Sequence, residues 1–98
     1  MVVGALSVRL LIRESHSLKD KRQVVRSIKD RLRHAFNISI AEVNALDERQ
    51  IAVLGITLVG NEVAAVQATL HEITQALRSH PVAEFVKHEM SIQHEEDA

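Results

Sequence analysis

Lys19, Lys21, Arg22, Arg26, Lys29 and Arg33, six of the seven basic side chains between positions 19 and 33, crowd one short stretch of this 98-residue chain. If the stretch is helical, at about 100° per residue, Arg22, Arg26, Lys29 and Arg33 fall within about 60° of one another and form a single stripe. Lys19 extends the stripe toward the N-terminus. Asp30 beside it neutralises one charge. An unbalanced stripe of this kind suits a phosphate backbone, and the plain alternative is a solvated helix face, since Lys and Arg are good helix formers. If about four of these groups each neutralise a phosphate, log K falls with log salt with a slope of about −3.

Other residue types offer less. Six histidines are present, but His16, His34, His71, His80, His88 and His94 include no i, i+4 pair with a carboxylate in a zinc-site pattern, so no metal is expected. His88, between Val86 and Met90 at strand spacing, reads as a core-edge residue. The loop Glu14-Ser15-His16-Ser17 leads into a helix start, where acylphosphatases of similar topology cradle phosphate. It lacks glycine, and Ser17 is explained more simply as a helix cap. No nucleophile elbow is present, and the absence of cysteine excludes thiolate chemistry and disulfides. No catalytic residue and no cofactor is assigned, and the chain is expected not to be an enzyme.

The elements that position the basic stripe follow from periodicity. Val2 to Arg13 alternates as a strand, with Val2, Leu6, Val8, Leu10 and Ile12 toward the core. Ser17, with Asp20 three residues on, approaches a capping box. Leu18, Val25, Ile28 and Leu32 then recur at helical spacing to about His34, with the stripe on another side. Phe36, Ile38 and Ile40 alternate before the apolar series passes to Ala41 and Val43, which predicts a bulge between them. Leu46 to Arg49 reads as a hairpin loop and Ile51 to Val59 as a central strand. Asn61 is the expected cap of a second helix carrying Val63, Val66, Leu70, Ile73 and Leu77. Past Pro81, a last strand is expected from Val82 to Gln93 with Val86, Met90 and Ile92 inward.

The order β-α-β-β-α-β is the split arrangement of α+β ferredoxin-like domains, with two helices on one face of a four-stranded antiparallel sheet. One domain is expected over residues 1–94, with a charged, frayed tail at 95–98. The other sheet face, offering Val3, Ala5, Ser7, Arg9, Leu11, Val53, Gly55, Thr57 and Val59, reads as mostly aliphatic. Such a patch could make a homodimer. It carries no aromatic residue, because Phe36 and Phe85 are the only two in the chain. Base stacking on the sheet is therefore not expected, and RNA contact should run along the helix backbone-first.

The run His16-Ser17-Leu18-Lys19-Asp20-Lys21-Arg22 resembles the signature segment of the YlxP-like family of small bacterial proteins. The similarity continues through Val24 to Arg33, Phe36-Asn37-Ile38-Ser39, Ala41-Glu42-Val43 and Leu54-Gly55, and it begins at Met1-Val2-Val3-Gly4. The resemblance implies a ferredoxin-like fold, no assigned reaction, and a genomic association with translation and ribosome-maturation factors. It transfers no catalytic residue.

The formal charge of −1 conceals an asymmetry. Residues 1–34 hold nine basic and three acidic side chains, and residues 35–98 hold three basic and ten acidic. No apolar run approaches the ~20 residues that span a bilayer, and no secretory signal is visible, so a cytoplasmic protein without membrane contact is expected. Together these features favour a non-catalytic RNA-binding or ribosome-associated protein that uses Lys19, Lys21, Arg22, Arg26, Lys29 and Arg33. The alternative is a homodimeric interaction module built on the open sheet face.

Overall fold

The alternation in the first segment becomes a strand, β1 (Val2–Leu11), whose even-numbered side chains are buried while the odd-numbered ones lie on the opposite face. The computed structural model describes residues 1–95. After β1 come α1 (Leu18–Ala35), β2 (Ser39–Asn44), β3 (Ile51–Gly60), α2 (Val63–Arg78) and β4 (Glu84–His94). The strands form one antiparallel sheet in the order β2-β3-β1-β4. This is the α+β ferredoxin-like arrangement, with the first and third strands in the middle.

The core lies between the sheet and both helices. Leu6, Val8 and Leu10 of β1 join Leu54 and Ile56 of β3, Val25, Ile28 and Leu32 of α1, and Val66, Leu70, Ile73 and Leu77 of α2. Two glycines allow α2 to lie close on the sheet. A Cβ at Gly4 would stand 2.6 Å from a Val66 methyl, and one at Gly60 would stand 2.7 Å from the other.

Four expectations are corrected. Strand β2 starts at Ser39 rather than Phe36, because the Phe36 N–H closes α1 by donating to Leu32 O. The register shift lies between Glu42 and Asn44, past the expected point. Alternation therefore runs on from Ile40 to Glu42 on the helix side, and Ala41 and Val43 are exposed on the other face. In β4 the shift falls opposite Arg9/Leu10, which makes Val86 the bulged residue. It is 50% exposed, while Phe85 takes the inward place. Helix α2 is entered through Glu62 rather than Asn61, with no side-chain cap, and Val63 stays exposed.

Of the tail expected to fray from residue 95, Glu95 is described: its N–H donates to Met1 O at 2.7 Å, and the Met1 ammonium donates to Glu95 O. Residues 96–98 lie outside the described residues.

Candidate nucleic-acid interface

Helix α1 begins where its sequence asks it to. Ser17 is extended, and its hydroxyl accepts from Asp20 N–H at 3.0 Å, while the Asp20 carboxylate accepts from His16 N–H. These bonds use donors that a helix start otherwise offers to an anion. From there the helix buries Val25, Ile28 and Leu32 and presents Arg22, Arg26 and Arg33 to solvent, with Lys19 also exposed and Lys29 half-buried. Arg33 donates to Ile40 O at 3.2 Å, which places the stripe along the β2 border of the sheet. Lys19, Arg22, Arg26 and Lys29 have neither an ion pair nor a side-chain hydrogen bond among the described residues.

Lys21 is the correction within this set. Expected with the phosphate-contacting groups, it is fully buried, and its ammonium donates to the carbonyls of Ala45 (2.9 Å), Leu46 (3.2 Å) and Ile51 (3.1 Å). Glu42 Oε2 stands 2.8 Å away as its counter-ion. An ammonium has three protons, and four oxygens surround this one. The buried carboxylate oxygen has no partner other than this ammonium among the described residues. The signal was present in the spacing, since Lys21 shares the helix face of Val25, Ile28 and Leu32 at i+4, i+7 and i+11. Burial of Lys21 also explains Ala45, which is left-handed at φ 55°. Asn44 Oδ1 accepts its N–H at 2.8 Å, and Lys21 holds its carbonyl. Lys21 thus ties the first turn of α1 to the corner where β2 turns into β3.

A family model described as a protein of unknown function, DUF503, matches residues 3–90, from β1 well into β4. The chain belongs to the DUF503 family. It is 29% identical over 83 residues to the uncharacterized protein YlxP of Bacillus subtilis (strain 168), an alignment covering 85% of this chain and 90% of that protein. The resemblance read from His16 to Arg22 is thereby borne out. In this DUF503 domain the segment supplies a cap (Ser17), a capping carboxylate (Asp20), a buried anchor (Lys21) and two exposed cations (Lys19 and Arg22).

The remaining candidates of the DUF503 chain are spread out. No group of three or more His, Asp or Glu residues that could hold a metal occurs among the described residues. His88 is exposed rather than at the core edge, because β4 borders the sheet; its ring lies 5.4 Å from that of Phe85, over which Arg78 also stacks at 4.3 Å. His80 Nδ1 accepts from Val82 and Ala83 N–H at 3.3 and 3.2 Å. Burial, with Arg31 nearby, lowers its pKa below 6.5. No helix among the described residues is long and apolar enough to cross a membrane.

The open sheet face is less aliphatic than expected. Its middle is a floor of Ala5, Ser7, Gly55, Thr57 and Ser91, with Val3 and Val59 at one end and Arg9 and Lys87 toward the other. Val43 leans over Gly55, where an added Cβ would meet its methyl at 2.9 Å.

Proposed function

We propose that this domain is a non-catalytic, cytoplasmic RNA-binding protein that contacts phosphate backbone through α1. One observation carries the reading: Lys19, Arg22, Arg26 and Lys29 line one border of the molecule with no carboxylate partner among the described residues. Arg33, although it donates to Ile40 O, remains exposed and adds a fifth charge. A surface that keeps several cations unneutralised side by side gains from a polyanion that releases its counter-ions on binding. The sheet offers no aromatic platform, so the contact reads shape and charge rather than base identity. The resemblance to YlxP-like proteins makes ribosomal RNA the natural candidate.

The test is charge reversal along the stripe. A variant carrying Arg22→Glu, Arg26→Glu and Lys29→Glu should lose co-sedimentation with ribosomes. On a labelled RNA duplex the unaltered protein should bind with a log–log salt slope of about −3.5, at about 0.9 for each of about four neutralised phosphates, steeper than the ~0.7 per phosphate of a single strand. Retained co-sedimentation of the triple variant overturns the proposal and leaves the open sheet face, as a homodimer surface, to be tested by sedimentation equilibrium.

A further inference from the structure

We propose that Arg9 and Lys87 form a second phosphate-binding position on the open face of the sheet, reached by single-stranded RNA that passes from α1 round the β2 edge. The proposal rests on the RNA reading of α1. Arg9 and Lys87 are direct partners across β1 and β4, on the same face. Like charges opposite one another in an antiparallel pair are destabilising. Neither has an ion pair here, since the pairs among the described residues are Arg13–Glu84 and Lys21–Glu42. Arg9 is half-buried, yet its guanidinium has no hydrogen-bond acceptor among the described residues. Two adjacent cations kept without a counter-ion define a place for an anion.

The surroundings select the kind of anion. Arg9 and Lys87 share a crevice with Ser7, Asn44 and Glu89. Asn44 accepts a hydrogen bond through Oδ1, which leaves its amide N–H groups to donate, and Ser7 adds an exposed hydroxyl. Glu89 lies one row away, opposite Ser7, beyond ion-pair distance of either cation. It lowers the local charge to a single positive unit, which suits the one negative charge of a phosphodiester better than the higher charge of free phosphate.

The fold links this place to α1. Asn44, Val53, Arg9 and Lys87 form one row across all four strands. The row starts beside the corner to which Lys21 fastens the first turn of α1. Lys19 and Arg22 therefore stand at the same end of the sheet as Arg9, on its other face, with only the six-residue β2 strand to go round. A single strand can take that path and a stiff duplex cannot.

The experiment is a salt titration of binding to a labelled oligouridylate and to an RNA duplex, using the unaltered protein, Arg9→Gln/Lys87→Gln, and the triple α1 reversal. On the single strand the unaltered protein should give a slope of about −3.5 and the Gln pair about −2.8, each phosphate contributing about 0.7. The duplex slope should be the same for both. Thermal melting should show the Gln pair no less stable, since it removes a like-charge opposition. An unchanged single-strand slope in the Gln pair overturns this proposal and leaves the α1 reading intact. Salt-independent binding by the unaltered protein overturns both. Inorganic phosphate that raises the melting temperature of the unaltered protein but not of the Gln pair, with the single-strand slope unchanged, marks a free-anion site and overturns the RNA assignment.

Discussion

Replacing Lys21 by Met tests the buried anchor directly. The substitution keeps an unbranched apolar stem and deletes the charge, which leaves the Glu42 carboxylate, whose side chain is only 14% exposed, with no counter-ion. Three carbonyls, of Ala45, Leu46 and Ile51, lose their donor at the same time. Removing one partner of a buried ion pair costs about 3–5 kcal/mol. A domain of this length holds about 5–15 kcal/mol in all, so Lys21→Met should lose about a fifth or more of its stability. With a urea dependence of about 1–1.5 kcal/mol/M, the unfolding midpoint should fall by ~2 M or more. Far-UV circular dichroism is the appropriate probe, because the chain has no Trp or Tyr. Lys21→Met/Glu42→Leu removes both charges and should recover part of the loss. A deficit of about 1–3 kcal/mol should persist from carbonyls left without a donor. A Lys21→Met protein within about 1 kcal/mol of the unaltered one, or a double variant no better than the single, would refute the reasoning.

Two further predictions concern the helix-to-sheet contacts. His80 accepts two backbone N–H groups through Nδ1 and is held below its ordinary pKa of 6.5, so the unfolded chain binds more protons as acid is added. The stability His80 contributes is present above pH 6.5 and declines as pH falls below it; His80→Asn should flatten urea midpoints between about pH 7.5 and 5.5, and an unchanged slope would count against the mechanism. Gly4→Ala would push a methyl against Val66 and Leu70, whose nearest atoms lie 2.6 and 2.9 Å from the new carbon. It should cost about 1–3 kcal/mol by urea unfolding, and a neutral result would mean that α2 lifts without penalty.

The sequence conveyed the order of elements because its patterns were local. Leu6, Val8 and Leu10 alternate and are buried, and Ser17 precedes an apolar helical face and caps it. It hid what depends on partners distant in the chain. Lys21 looks like one more cation in a basic run until Glu42 and the hairpin carbonyls surround it. Glu42 likewise looks like an interruption of the β2 pattern, which is why the apolar series seemed to pass to Ala41 and Val43. The inward place at the start of β4 went to Phe85 because a bulge, invisible in composition, displaced Val86. The stripe from Arg22 to Arg33 was legible because helical spacing alone defines it. The Arg9–Lys87 contact needed the sheet register.

The central position of β1 also governs when this domain can fold. Val2 pairs with His94, and even the nearest β3 contact of the strand joins Leu11 to Ile51. This strand therefore has no local partner and must close long loops before it is rewarded, the condition that slows folding. During synthesis its apolar side chains wait, uncovered, for strands that leave the ribosome much later. The β2–β3 hairpin and α1, joined through Lys21 over shorter loops, can associate earlier. Completion of the sheet falls to β4, so the domain reaches its native state only after its last strand has emerged.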